Sequence, residues 1–254
     1  MECISFCLNG KMAHFRKYYS NSTALSYMVP PVTTIKGIIA GLLGFERDSY
    51  YDWFANEKCK VSIIIETPLK KTTQTMNLLK VECLNDLNGF GKNRTQNNTE
   101  FVIPVDIRTG LVQYRIIFWH KDADVLNDLR KCICLGENYY YSRGICTYLG
   151  SAQCLGWISD GRIIQLTQAT YKSHAIGINS VIVKDYIEKI EIHEGQNLSI
   201  LKEETFTEFD KNRLITEDSK KDIIINTTNE PIWVQLKDNI HYYKTEDKNI
   251  LFVE

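Results

Sequence analysis

The order in which strand-like and helix-like segments follow one another is the feature that most constrains how this chain can fold. Residues 2–8 alternate loosely between apolar and polar side chains, which is typical of a strand. After the Pro30-Pro31 step, apolar residues recur at helical spacing until Gly44, and Thr33 or Thr34 can cap the start of that helix. The expected fold therefore begins with a strand followed by a helix.

Further strands and a second helix follow. Residues 60–67 (KVSIIIET) have the pattern of a buried strand, and residues 99–120 predict a long hairpin or two core strands around an irregular connection. Asp122 or Asp124 can cap a second helix that runs to about Leu135. The order strand, helix, strand, strands, helix, strand predicts an α+β fold with a ferredoxin-like domain.

Two regions lie outside this core. Residues 68–98 are rich in Lys, Thr, Asn and Gln and are too long for a routine connection, so they predict an inserted arm. Residues 159–254 contain short strand-like runs at nearly regular spacing, and their acid-rich stretch 202–222 predicts a solvated connection. The expected organisation is a domain over residues 1–158 that carries the arm, followed by a β-rich C-terminal region.

Composition and cysteine usage exclude several classes of protein. A hydrophobic content of 44 % with 24 % charged residues is ordinary for a soluble globular chain, and no apolar run is long enough to cross a bilayer. The eight cysteines form no paired CxxC motif, and no signal-peptide pattern precedes the first strand. We therefore expect a cytoplasmic protein with no membrane contact, whose cysteines are buried hydrophobes rather than metal ligands, and which needs no cofactor.

One segment near the N-terminus is strongly basic. No acid lies between Glu2 and Glu46, although the net charge of the chain is −1. Within this span the fixed positive charges are Lys11, Arg16, Lys17 and Lys36. The run AHFRKYYS (13–20) interleaves cations with aromatic rings, which are the side chains that bind phosphates and stack on bases of single-stranded RNA. A surface loop whose aromatics anchor it to the core is the alternative.

Three further segments carry groups suited to RNA. At the start of the first helix, backbone amides with Thr33, Thr34 and Lys36 can bind a phosphate, although helix capping alone also explains the threonines. In the arm, the side chains suited to base edges and backbone are Gln74, Asn77, Lys92, Arg94 and Gln96, and an unengaged loop is the alternative. A glycine-bounded loop after Leu149 can place its backbone amides against a phosphate or a helix.

Only the pair His120-Lys121 suggests acid–base chemistry, of the kind that a metal-free ribonuclease uses. Adjacent residues on a strand point to opposite faces, so these two side chains need a bend in order to act together. The sequence therefore favours a binding protein over an enzyme.

The order of these segments resembles the Cas-five family of CRISPR-associated RAMP proteins, in a form similar to type I-B members. The resemblance spans roughly residues 1–158 and rests on GKMAHFRKYYS, SYMVPPVTTIKGIIAGLLG, QTMNLLK, RTQNNTEFVIP, YRIIFWH and YLGSAQCLG, in that order. It implies a subunit at one end of a Cascade complex that grips the 5′ handle of the CRISPR RNA and caps the backbone filament. It also implies that residues 68–98 form a thumb inserted between guide segments.

The resemblance also implies particular residues and partners. Its handle-facing set is Lys11, His14, Arg16, Lys17, Tyr27, Thr33, Thr34 and Lys36, with Gly150, Ser151 and Gln153 of the glycine-bounded loop. The implied partners are the CRISPR RNA, the repeated backbone subunit and the large subunit that recognises the protospacer-adjacent motif, and through that subunit the target DNA.

Some relatives cut precursor CRISPR RNA with a Tyr, a Lys and a His, but no tyrosine here can be paired by motif with His120 and Lys121. The leading hypothesis is therefore a non-catalytic RNA-binding subunit. A metal-independent endoribonuclease that processes precursor CRISPR RNA is the alternative, and a scaffold whose basic loop meets an acidic protein is a third interpretation.

Overall fold

A computed structural model describes residues 1–79, 81, 83–88, 94–135, 148–170, 174–215 and 217–254. Within these residues the fold is a mixture of many strands and two α-helices, α1 (Val32–Leu42) and α2 (Ala123–Ile133). The strands are β1 (Glu2–Gly10), β2 (Phe15–Arg16), β3 (Ser26–Tyr27), β4 (Cys59–Ile65), β5 (Leu69–Leu79), β6 (Arg94–Pro104), β7 (Val112–His120), β8 (Gly156–Gln165), β9 (Thr167–Thr170), β10 (Ile176–Ile178), β11 (Ile182–Val183), β12 (Ile187–Glu191), β13 (Ile200–Phe206), β14 (Lys220–Asn226), β15 (Ile232–Leu236), β16 (His241–Lys244) and β17 (Asn249–Ile250).

A four-stranded antiparallel sheet organises the first part of the chain. Its strand order is β4-β7-β1-β8, with α1 following β1 and α2 following β7. The strands predicted at 2–8 and 60–67 are confirmed as β1 and β4. Because β1 lies between β7 and β8 and almost all of its side chains are buried, it forms the centre of the core.

Both predicted helices are present. The predicted cap of α2 is confirmed, whereas that of α1 is not. Asp122 precedes α2, and its carboxylate accepts a hydrogen bond from the Asp124 amide at 2.9 Å, as predicted. Pro31 occupies the N-cap of α1 and no side chain caps that helix, so the predicted cap at Thr33 or Thr34 is wrong. The helix begins earlier, at Val32, and the Pro31 carbonyl accepts hydrogen bonds from the amides of Thr34 and Ile35 at 2.9 and 3.2 Å.

Of the two alternatives for residues 99–120, the hairpin is wrong, and two core strands around an irregular connection describe the structure. Strand β6 pairs instead with β5 along eleven positions, from Leu69 opposite Pro104 to Leu79 opposite Arg94, whereas β7 pairs with β1 and β4. A turn at Asp106, whose carbonyl accepts from the Gly110 amide at 3.0 Å, redirects the chain from this ribbon into the central sheet. In the described residues, β5 and β6 form a two-stranded ribbon that includes both ends of the segment predicted as an arm, and we call it the β5–β6 ribbon.

The C-terminal region is joined to the first part by a shared core. Strand β8 continues to Gln165, so the predicted boundary at residue 158 lies inside a strand of the central sheet. The amides of Val181 and Val253 donate to the carbonyls of Ile63 and Val61 at 2.8 and 2.9 Å, and both valines belong to the main hydrophobic cluster. The two regions consequently bury apolar surface against each other.

The acid-rich stretch 202–222 was predicted as a solvated connection, and much of it is ordered sheet. It contains most of β13 and the first residues of β14, which pair from Ile200 opposite Asn226 to Phe206 opposite Lys220. Glu203, Thr205 and Thr207 are buried there. The prediction was wrong because the charge of Glu203 is compensated by lysines that are distant in sequence.

No helix in the described part of the chain is long and apolar enough to span a membrane, since α1 and α2 have eleven residues each.

Leu129 tests the packing of α2 on the central sheet. It is fully buried, so Leu129→Ala should lower the free energy of unfolding by about 2–5 kcal/mol, because it removes transfer free energy and leaves a cavity. Leu135→Ala, at an exposed site just after the helix, is the matched control and should change it by less than about 0.5 kcal/mol. Urea unfolding measures both, and equal effects would contradict the packing described here.

Candidate nucleic-acid interface

The N-terminal loop, residues 11–29, lies along the edge of β6 that faces away from β5. The Ala13 amide donates to the Val102 carbonyl at 2.9 Å, and the Val102 amide returns a hydrogen bond to Ala13 at 2.8 Å. Farther along, the Ala24 amide donates to the Asn98 backbone carbonyl at 2.8 Å, and the Glu100 amide donates to the Ala24 carbonyl at 2.9 Å. Two segments that the sequence predicts as RNA-binding, the loop and the ribbon, are therefore neighbours.

The glycine-bounded loop joins the same region. The His14 amide donates to the Leu149 carbonyl at 2.9 Å, and the next residue, Gly150, has a φ of +92°. A Cβ on Gly150 would lie 2.0 Å from the His14 carbonyl oxygen, so only glycine fits this close approach. Ser151 and Gln153 are in the turn that follows, with Ser151 half-buried and Gln153 exposed.

Two cations and two aromatic rings of the N-terminal loop face solvent. Lys11 and Arg16 are exposed, and Arg16 Nη2 donates to the Ser20 carbonyl at 3.0 Å, which closes the tip of the loop. Tyr18 and Tyr19 are 53 % and 52 % exposed, and their rings meet edge to face with centroids 5.1 Å apart. Exposed aromatic rings next to cations are a suitable surface for unstacked bases and their phosphates.

Lys17 points inward, so its placement does not fit the predicted phosphate contact. Its Nζ lies 3.0 Å from the Glu203 carboxylate, and Lys71 Nζ reaches the same oxygen at 2.8 Å. The Met28 amide donates to the other oxygen of Glu203 at 2.8 Å. Burial by itself lowers the pKa of Lys17, but the charge and hydrogen bond of Glu203 outweigh it and the pKa is raised. Lys17 is therefore held as a cation in an internal ion cluster.

His14 and Tyr27 are buried and anchor the N-terminal loop to the core. His14 is buried, with Nδ1 hydrogen bonded to the Glu100 carbonyl at 2.7 Å and its ring 5.7 Å from that of Phe101. Tyr27 is buried as well, and burial raises the pKa of its phenol. For these two residues the alternative of an aromatic anchor describes the structure better than RNA contact.

The start of α1 does not form the predicted phosphate site. Lys36 is 4 % exposed, and its Nζ donates to Asn56 Oδ1 at 2.9 Å inside the protein. Burial lowers the pKa of its ammonium group. Thr33 and Thr34 are half-buried on the same turn. The prediction for Lys36 was wrong because its position on the helix faces the interior near Asn56.

On the β5–β6 ribbon the predicted amide side chains are exposed. Asn77 and Gln96 lie directly opposite each other in the register, so their side chains share one face, whereas Gln74 lies opposite Thr99 on the other face. Lys92 and the side chain of Arg94 lie outside the described residues.

His120 is part of the core, which removes the predicted acid–base pair. It is 3 % exposed, its Nε2 donates to the Trp53 carbonyl at 2.9 Å, and its Nδ1 accepts from the Asp122 amide at 3.0 Å. Its ring packs against Phe54 and Phe118. Lys121 is exposed. With both ring nitrogens engaged away from solvent, this geometry lends no support to catalysis at His120.

Sequence reasoning missed the residues of β13 that contact the loop. The Tyr18 hydroxyl donates to Glu204 Oε1 at 2.8 Å, and this hydrogen bond raises the pKa of the phenol. The Tyr18 ring lies 4.8 Å from that of Phe206. The run ILKEETF (200–206) has a β-branched and aromatic content that is compatible with a strand, but its two acids belong to the acid-rich stretch 202–222, which favoured a solvated segment.

Metal binding finds no support in the described ranges, where no group of three His, Cys, Asp or Glu side chains is placed to hold an ion. Of the cysteines in those ranges, Cys3, Cys7, Cys59, Cys132 and Cys154 are buried and reduced.

A family model matches the first part of the chain. Residues 3–114 match the model of the family described as "CRISPR-associated protein (Cas_Cas5)", which covers the N-terminal loop, α1 and the ribbon. The resemblance to the Cas-five family is confirmed over these residues. No curated protein matches the sequence.

One solved structure shares the fold, and two others are less similar. A CRISPR protein from Archaeoglobus fulgidus is similar over 98 % of both chains, with a TM-score of 0.58 and 12 % identity. A chain of the type III-B Cmr-beta complex bound to cognate target RNA and AMPPnP has a TM-score of 0.49 and 10 % identity over 91 % of this chain and 86 % of that one. A chain of a CRISPR RNA-guided surveillance complex has a TM-score of 0.45 and 9 % identity over 91 % of both. Of these three likenesses, only the first is high enough to show a shared fold.

Gly150 tests the contact between the glycine-bounded loop and the N-terminal loop. Gly150→Ala should destabilise the protein by about 1–3 kcal/mol more than Gly195→Ala, because both sites have a left-handed backbone but only Gly150 has a carbonyl in the path of the new methyl group. Thermal unfolding of both variants measures the difference. Equal destabilisation would contradict the close approach to His14.

Glu203 tests the buried ion cluster. Glu203→Ala leaves Lys17 and Lys71 without their shared carboxylate and should lower the free energy of unfolding by about 3–5 kcal/mol. Glu217→Ala removes an exposed ion pair with Lys220 and should change it by less than about 1 kcal/mol. Urea unfolding provides the measurement, and a loss at Glu203 no larger than at Glu217 would show that the cluster does not hold the loop.

Proposed function

We propose that this Cas-five protein is a non-catalytic, RNA-binding subunit of a type I, I-B-like, CRISPR surveillance complex. The observation that carries the proposal is the tip of the N-terminal loop, where Lys11, Arg16, Tyr18 and Tyr19 are exposed on a segment without acids. Cations bind the phosphates of a single strand and aromatic rings stack on its bases. The match to a CRISPR-associated family over the same residues makes the CRISPR RNA the expected ligand.

The architecture supports a specific role in such a complex. The strand order β4-β7-β1-β8, with helices after the first and third of these strands in the chain, supports the proposal of a ferredoxin-like domain of the RAMP kind. The β5–β6 ribbon is the candidate for the thumb, with Asn77 and Gln96 exposed on one face. In this role the N-terminal loop grips the 5′ handle of the CRISPR RNA, the ribbon reaches between guide segments, and the subunit caps the backbone filament.

The expected partners follow from this role. They are the repeated backbone subunit and the large subunit that recognises the protospacer-adjacent motif, and through it the target DNA. Burial of His120 in the core gives no support to a role in processing precursor RNA.

A double substitution of the exposed cations tests the proposal. Lys11→Ala with Arg16→Ala should weaken binding of RNA that carries the 5′ handle by more than about tenfold, through loss of two phosphate contacts. The slope of log affinity against log salt should fall in magnitude by about 1.4. Fluorescence anisotropy with labelled RNA over a salt series gives both quantities.

The matched control removes two exposed cations elsewhere, Lys131 on α2 and Lys211, each of which lies beside a carboxylate. The variant that combines Lys131→Ala with Lys211→Ala should bind RNA within about threefold of the wild type. Surface cations that are paired with carboxylates and distant from the RNA add little electrostatic attraction to its phosphates, because salt screens their charge. Equal loss in the two double variants, or no loss in either, would end the assignment of the loop as the RNA-binding surface.

A further inference from the structure

A strand of the C-terminal region meets the tip of the N-terminal loop residue by residue. Lys17 and Tyr18 are consecutive in the loop, and Glu203 and Glu204 are consecutive on β13. Lys17 Nζ lies 3.0 Å from Glu203, and the Tyr18 hydroxyl donates to Glu204 at 2.8 Å. Because neighbouring residues on a strand point to opposite faces, one carboxylate holds the loop from inside and the other holds it at the surface.

The Tyr18 ring is fixed at a second point. Its centroid lies 4.8 Å from that of Phe206, edge to face, and Phe206 is itself buried. Tyr18 nevertheless keeps 53 % of its surface exposed, and Tyr19 meets it edge to face at 5.1 Å. A ring that is clamped at its hydroxyl and at one edge has little rotational freedom, while much of its surface stays open to a ligand.

The position of Glu204 needs an explanation other than stability or charge. A hydrogen bond between exposed side chains contributes little to folding. A carboxylate beside a surface that binds a polyanion also opposes binding by repulsion. The remaining role is orientation, since an aromatic side chain that is already ordered does not lose that freedom when the ligand binds.

We propose that Glu204, supported by Phe206, is a positioning residue that holds the Tyr18 ring ready to stack on an unpaired base of the bound RNA. The inference rests on the proposed function, and it assigns to the C-terminal region a part in RNA binding. Preorganisation of this kind improves affinity by reducing the ordering that binding requires, without adding a contact between Glu204 and the RNA.

Three variants separate the effect of Glu204 on the orientation of the Tyr18 ring from the effect of its negative charge. Tyr18→Phe removes the hydroxyl and keeps the ring, Glu204→Ala removes both acceptor and charge, and Glu204→Gln keeps an acceptor without the charge. We expect the first two to weaken binding of a labelled, unstructured RNA oligonucleotide by about threefold to tenfold. Glu204→Gln should bind at least as tightly as the wild type, because the acceptor remains and the repulsion is gone.

A double variant and a control complete the design. Tyr18→Phe combined with Glu204→Ala should bind no more weakly than either single variant, since both remove the same hydrogen bond. Glu246→Ala removes an exposed acid from a different turn and should leave RNA affinity within about twofold of wild type. Thermal unfolding of each variant should match the wild type, and if Glu204→Ala unfolds, Tyr18→Phe still decides the question.

Each contrary result has a definite meaning. If Glu204→Ala binds RNA more tightly than the wild type, or if Glu204→Gln is as weak as Glu204→Ala, the positioning role is overturned. If Tyr18→Ala and the Lys11 and Arg16 double variant weaken binding while Tyr18→Phe and Glu204→Ala do not, this inference fails and the proposed function stands. If none of these variants changes RNA affinity, the proposed function fails.

Discussion

The interaction on which the rest of this structure depends is the buried ion cluster around Glu203. One carboxylate from β13 compensates Lys17 of the N-terminal loop and Lys71 of the β5–β6 ribbon, and also accepts the Met28 amide. A buried carboxylate is costly unless it is paired and hydrogen bonded, so these partners must come together for the chain to fold this way. Three segments that are far apart in sequence are thereby fixed at one point.

The candidate interface follows from that constraint. With Lys17 turned inward, the charge that the loop presents to solvent comes from Lys11 and Arg16, and its exposed aromatic surface comes from Tyr18 and Tyr19. The backbone of the loop is fixed by β6 on one side and by the Leu149 carbonyl on the other. Apolar residues of the loop, among them Phe15 and Met28, also belong to the main core. The loop is in this way ordered before any ligand binds, which favours affinity.

Periodicity made the local elements predictable. Strands β1 and β4 and helix α2 with its Asp122 cap lie where the sequence places them, because each is defined by side chains close together in the chain. The pairing of β6 stays open in the sequence, since Phe101 and Val102 are as buried as residues of a central strand but are covered by the N-terminal loop. Local pattern carries no information on which distant segment covers an apolar strand.

The site was harder to predict than the fold, because the polar partners that bury Lys17 and Lys36 are distant in sequence. The loop, the ribbon and the glycine-bounded loop were recognised as segments, and the structure brings them together. Which cations face outward was not predictable, because the partners of Lys17 and Lys36 are Glu203 and Asn56, in segments that the sequence does not connect with them. Glu203 is 132 residues from Lys71, so its burial could not be anticipated from an acid-rich run.

Photocrosslinking is the most direct test of the central claim, that the ordered tip of the N-terminal loop is the surface that meets RNA. Ultraviolet irradiation of the full-length protein with bound RNA, followed by peptide mass spectrometry, should place adducts within residues 11–20, with Tyr18 or Tyr19 among the modified positions. Adducts confined to other parts of the chain, with the loop peptide unmodified under conditions of full binding, would contradict it.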